Sequence, residues 1–167
     1  MATLGRFLES ADPPMVVVTA AADGDADGCL VGFHCQASID PERYVVWLST
    51  ANHTHAIAAR AEVLAVHLLG AGDHDVAVLF GGVIADDVAK LEQCDWTPGP
   101  GGVPLLDRLA VRLVGRVVDV GSGEGDHTAF VLEPLDVQTE LAPGAEGSLR
   151  YSDVAEIEPG HPVRTSG

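Results

Sequence analysis

Short runs of Val, Leu, Ile and Ala, each closed within a strand's length by Gly, Asp or Pro, confine this chain to an antiparallel β architecture. Met15 to Ala20 follows Pro13-Pro14 and reads as a buried strand. The turn-rich stretch Ala22 to Gly28 separates it from a second strand, Cys29 to Ser38, which suggests an antiparallel hairpin. Asp40-Pro41 breaks the chain before a third strand, Tyr44 to Ser49. Asn52 is placed to cap a short helix over His53 to Ala61. Val63 to Leu69 is a further strand. Asp73 then opens a second short helix, whose Val76, Leu79 and Phe80 form one stripe and which Gly81-Gly82 end. Asp86 to Gln93 predicts another helical turn or two, and Asp95 to Pro104 an irregular loop.

In the second half, Leu109, Val111, Leu113 and Val117 alternate with Arg112 and Arg116, the period of a half-buried strand. Gly121 to His127 turns the chain, and Thr128 to Val137 returns as its partner. About six strands with two or three short helices make a mainly β protein. The helices are too short to cover both faces of a parallel sheet, so an antiparallel barrel is expected. The 167 residues suit one domain, set at residues 1–140, followed by a weakly periodic C-terminal tail over 141–167 that packs on a dimer or is partly disordered.

Charge narrows the partners. With 25 acids against 9 bases, the formal net charge is -16, which argues against nucleic acid and anionic membrane surfaces. No apolar run is long enough for a membrane span, and the N-terminus lacks a basic region followed by an apolar one. A cytoplasmic location is expected, with Cys29, Cys35 and Cys94 as reduced thiols.

Several segments can carry chemistry. Gly32 to Pro41 leaves a strand and ends in a turn. Such a strand end can offer backbone N–H groups to a flat heterocycle, although an ordinary edge strand is the simpler reading of the spacing. Ser49, Thr50, Asn52 and Thr54 crowd a helix N-terminus, where an anion such as phosphate is favoured; plain capping by Asn52 is the simpler alternative. His53 and His55 stand two apart and point in different directions, so no metal site is expected. Cys35 lacks a nucleophile signature. Gly125-Asp126-His127 lies in a hairpin turn, where His127 can project as donor or acid or simply hold the turn.

Taken in order, PMVVVTA, CLVGFHCQASIDP, VVWLSTANHTHAIAARAEVLAVHLL, DVAVLFGG with Lys90 following, GGVPLLD and GDHTAFVLEPLDV resemble the flavin reductase family, on the FMN-binding split-barrel fold. The resemblance spans about Pro14 to Val137. It implies a homodimer of six-stranded antiparallel Greek-key split β-barrels holding FMN near the subunit interface, with FAD as the alternative. It implies that His34, Cys35, Gln36, Ala37 and Ser38 meet the isoalloxazine edge, largely through backbone groups. Ser49, Thr50, Ala51, Asn52, His53 and Thr54 would hold the ribityl phosphate. Relatives often carry a basic residue near Thr50; its absence here leaves Arg60, Lys90 or a partner-subunit arginine to meet the phosphate. His127 would assist NAD(P)H, the hydride donor, and reduced flavin would pass to a monooxygenase. A flavoprotein of this fold with another substrate, or a non-catalytic ligand-binding domain, are the competing readings.

Overall fold

The computed structural model describes residues 3–82, 89–122, 124–140 and 147–158. Helix α1 (Thr3–Ala11) precedes strands β1 (Val16–Ala22), β2 (Asp25–Val31), β3 (His34–Ile39) and β4 (Glu42–Ser49). Helix α2 (His53–Ala58), β5 (Val63–Leu68) and α3 (His74–Gly81) follow. A short hairpin, β6 (Trp96–Pro98) and β7 (Pro104–Leu106), leads to the long strands β8 (Arg112–Ser122) and β9 (His127–Gln138).

The main sheet is antiparallel and has seven strands in the order β2-β1-β5-β8-β9-β4-β3. This corrects the expected six-stranded Greek-key split β-barrel. The sheet is open, with β2 and β3 as edges and no ladder joining them among the described residues. The extra strand comes from the stretch Cys29 to Ser38, which is not one strand. It breaks at Gly32-Phe33, so that β2 and β3 pair with different neighbours, β1 and β4. Gly32 lets Met15 pack closely at this corner: a Cβ there would lie 3.3 Å from Met15 Sδ.

The open sheet still curls on itself. Val16, Val18 and Ala20 of β1, Cys29 and Val31 of β2, Val46 and Leu48 of β4, and Phe130 and Leu132 of β9 share one buried cluster, with Ile57 and Ala58 of α2 packed into it. The opposite face of β1 is buried too. Met15 and Val17 pack with Val76, Ala77 and Phe80 of α3 and with Leu106, Leu109, Leu149 and Val154. Burial on both faces explains why this strand reads as a continuous apolar run and not an alternating one. Asp23-Gly24, both with positive φ (52° and 85°), make the tight β1–β2 turn that suits the twist of a hairpin.

Other expectations need adjusting at their edges. The stretch Asp95 to Pro104, expected to be irregular, contains β6 and the start of β7, joined through a 3-10 turn at Pro100–Gly102. The Pro residues of this tiny ladder sit at its outer end, Pro98 opposite Pro104, where a missing N–H costs least. Helix α1 was not foreseen. Of the turn expected over Asp86 to Gln93, residues 90–93 form a 3-10 turn; residues 83–88 lie outside the described residues. Within the tail, Leu149 and Val154 belong to the core, whereas residues 141–146 and 159–167 lie outside the described residues.

His67 fills an inward position that an aliphatic residue would usually take. Its Nδ1–H donates to Val17 O at 3.2 Å, and its Nε2 accepts from Leu106 N–H at 3.1 Å. Both bonds suit the neutral ring. Burial pushes its pKa from 6.5 down to about 4, and the Arg112 charge adds to the effect. Between those values the unfolded chain binds a proton that the native chain refuses. Stability is therefore greater above the upper value and is lost as pH falls through the window, by about 3 kcal/mol. Urea unfolding at pH 7 and pH 4.5 should show this loss, and His67→Asn should flatten that part of the slope.

Candidate functional site

Three distant pieces of chain meet at one cavity of about 100 Å³: the β2–β3 corner with Gly32 and Phe33, the end of β4 with Trp47 and Ser49 followed by the α2 cap Asn52, and His127 at the start of β9. Pairing of β4 with β9 sets Ser49 opposite His127. The hairpin turn before His127 is then locked to the loop after β4: Thr50 N–H donates to Asp126 O at 2.9 Å and Thr50 Oγ1 to the same carbonyl at 3.2 Å. His127 Nδ1–H donates to Asp126 Oδ1 at 2.7 Å, which orients the ring and leaves Nε2 as its remaining polar atom. The Phe33 ring leans on this imidazole with centroids 4.9 Å apart.

The loop into α2 is built largely from its own hydrogen bonds. Ser49 Oγ accepts from Ala51 N–H at 3.3 Å, Ser49 O from Asn52 N–H at 3.0 Å, and Asn52 Oδ1 from Thr54 N–H at 3.0 Å. His55 N–H is taken by Asn52 O. Among the described residues this leaves His53 N–H, the Asn52 Nδ2 group and the Ser49 hydroxyl proton available to an incoming acceptor. His55 is structural, with Nε2 at 2.9 Å from Thr128 Oγ1 and its ring edge-on to Phe130.

Beneath the loop lies a group the sequence reading missed. Asp27 occupies the inward face of β2 with Cys29 and Val31, and it is buried. Its Oδ2 accepts from Thr54 Oγ1–H and from His53 Nδ1–H, each at 3.1 Å. Its Oδ1 is 4.0 Å from Lys90 Nζ. Lys90, the chain's only lysine, is itself buried and donates to Gly28 O at 3.0 Å. Lys90 and Thr54 therefore meet Asp27 below the loop and are not among the cavity's lining residues. Cys29, next to this group, has its thiol pushed up to about 12 by burial. The signal for Asp27 was present: a carboxylate two residues before Cys29 falls on the same strand face and needs a buried partner.

Residues 34–38 run on from the cavity along the sheet edge and do not line it. His34 is engaged on both nitrogens, donating from Nε2 to Pro14 O at 2.7 Å and accepting at Nδ1 from Tyr44 Oη at 2.6 Å. Burial raises the Tyr44 phenol above its usual range. Cys35, Gln36 and Ala37 are exposed, Gln36 Nε2 donates to Ser38 O, and Ser38 is half-buried. Because β3 pairs only with β4, its other side presents backbone N–H and C=O groups outward. Phe33 and Trp47 are cavity residues the sequence reading did not single out. A larger cavity, about 410 Å³, lies between α3 and residues 93–95 and 106–109, away from all of these groups.

The model of the flavin reductase like domain matches residues 9–154. The chain belongs to the flavin reductase-like family. This flavin reductase-like chain is 26% identical over 153 residues to a ferric-chelate reductase (NAD(P)H) of Archaeoglobus fulgidus, covering 91% of the chain and 89% of that protein. It is 29% identical over 141 residues to the FMN reductase (NADH) RutF of Methylorubrum extorquens, covering 82% of the chain and 64% of that protein. Its fold matches an FMN-binding protein of Thermus thermophilus crystallised with 1-cyclohex-2-enone, with a TM-score of 0.79 at 21% identity, over 100% of this chain and 96% of that one. No helix among the described residues is long and apolar enough to cross a membrane.

Asp27→Asn would leave the Lys90 ammonium buried without a charge partner, a loss of about 3 kcal/mol read as a lower urea midpoint. The exposed ion pair of Arg60 with Asp23 and Asp25 serves as the control; Arg60→Ala should leave the urea midpoint nearly unchanged.

Proposed function

We propose that this protein is an NAD(P)H-dependent flavin reductase that binds FMN and serves a monooxygenase, in the cytoplasm. One observation carries the reading. In a chain of the flavin reductase-like family, a donor-bearing loop and a histidine held by a carboxylate face one cavity, and the unpaired sheet edge of β3 runs on from it.

The residues present fit a flavin. The outward backbone groups of His34, Cys35, Gln36, Ala37 and Ser38 suit the alternating donors and acceptors of an isoalloxazine edge. Ser49, Asn52 and His53 retain donors for a phosphate, and Thr50, Ala51 and Thr54 hold the loop in the shape that presents them. Bound there, a flavin supplies the two-electron acceptor for the hydride that leaves C4 of the nicotinamide. The protein's own part is positioning. Asp126 fixes the His127 tautomer, so that Nε2 meets the nucleotide. The Asp27 group holds His53 and Thr54 from below and so fixes the start of α2 beneath the loop. The buried walls of Val31 and Leu48 keep water from one side of the cavity.

A second copy of the chain completes this reading. Val118 and Val120 on β8 and Leu135 and Val137 on β9, two paired strands, are exposed aliphatic residues, and Ile39 is another on the edge strand β3. Burying these side chains between protomers is the simplest account of their exposure. Light scattering should give twice the chain mass of 17.3 kDa; a monomer at micromolar concentration would overturn this part.

The decisive assay is NADH or NADPH oxidation with and without added FMN, alongside the visible spectrum of the desalted protein. Turnover that depends on FMN supports the reading, and silence with both nucleotides overturns it. Ser49→Ala should weaken FMN binding by roughly tenfold, the worth of one hydrogen bond to a charged group. His127→Ala should raise the KM for the nucleotide more than it changes FMN affinity.

A further inference from the structure

Phe33 sits in the two-residue corner between the two unpaired edges of the sheet. Its backbone is held, because its carbonyl accepts from Trp47 N–H at 2.9 Å. Its ring is not held by a core. The residue is 48% exposed, and its described ring partner is His127, at 4.9 Å and an interplanar angle of 49°. The ring therefore lies against the imidazole at the cavity wall.

The cavity is too small as it stands. At about 100 Å³ it falls below the roughly 300–1,000 Å³ of ligand pockets. Most of its other walls cannot yield cheaply. Cys29, Val31 and Leu48 are buried on strands, Asn52 caps α2, and His127 is tied to Asp126. Phe33 can rotate about its side-chain bonds without breaking a hydrogen bond, and exposed rings do so quickly.

We propose that Phe33 gates the reductant and sets specificity for it: its ring occupies, beside His127, the place a nicotinamide ring takes, and swings off the imidazole when that ring enters. The inference rests on the flavin reductase reading. A flat ring of similar size can replace the Phe33 contact on His127, and a nucleotide lacking one recovers nothing for the contact it displaces. Bulk at position 33 thus tunes nucleotide affinity through competition.

The test uses FMN-loaded protein and NAD+, which binds without reducing the flavin. By calorimetry, Phe33→Ala should bind NAD+ about three- to tenfold more tightly than the wild type, and Phe33→Trp correspondingly more weakly, the worth of one aromatic pair. Proton NMR adds a readout independent of turnover. The His127 imidazole resonances, assigned by their loss in His127→Ala, should lie upfield in the wild type under the Phe33 ring current. They should lie downfield in Phe33→Ala and move upfield there when NAD+ is added, whereas in the wild type, where one ring replaces another, NAD+ should move them less. Equal or weaker NAD+ binding by Phe33→Ala, with FMN retained, overturns the gate and leaves the reductase reading standing. A wild type that binds neither FMN nor nucleotide overturns that reading, and the gate with it.

Discussion

Asp27 carries its carboxylate onto the inward face of β2, and the groups around it are arranged to answer that charge. Thr54 and His53 donate to it from α2, and Lys90 approaches it from the 3-10 turn at residues 90–93. Two separate segments are thereby tied to one strand position. A buried pair of this kind contributes little net stability compared with an apolar substitute, but losing one partner is costly. Its effect is geometric. It fixes where the loop between β4 and α2 stands relative to β2, and that loop forms one wall of the candidate site.

The second constraint is the corner at Gly32-Phe33. A strand continued from Cys29 to Ser38 would have kept β2 and β3 in one line. The break instead lets consecutive strands serve opposite ends of the sheet order. The sheet curls so that β2 and β4 share a core with β1 and β9, yet it stays open where its edges meet. The cavity lies at that meeting point. An open edge, with backbone groups unpaired, is a liability for aggregation and also a ready surface for a flat polar ring. The protein's strongly acidic surface makes local donors there more necessary, because the global field repels anions.

Much of the fold was legible. The cap at Asn52, the helix opening at Asp73 and the long β8–β9 pair follow from local rules of capping and alternation, whereas the turn expected over Ala22 to Gly28 shrinks to Asp23-Gly24 because β2 begins at Asp25. Of the site, the Ser49–Thr54 loop and His127 were named from the sequence, and β4–β9 pairing brings Ser49 and His127 face to face. Phe33, Trp47 and Asp27 were not singled out. Phe33 was hidden inside what looked like one strand. Trp47 alternates with Val46 and Leu48 like any strand residue. Asp27 was absorbed into a turn-rich composition, although its face on β2 was readable.

The sequence alone determined that this is an antiparallel β protein with short helices, because side-chain period and turn chemistry are local properties. It also determined which loop bears donors and which turn bears the histidine. Only the tertiary structure decided the number of strands, the openness of the sheet and the partner of Lys90. Each of these depends on which segments meet across long stretches of chain. The break at Gly32-Phe33 adds the strand and leaves β2 and β3 as opposite edges, and the need to neutralise a buried carboxylate settles the third.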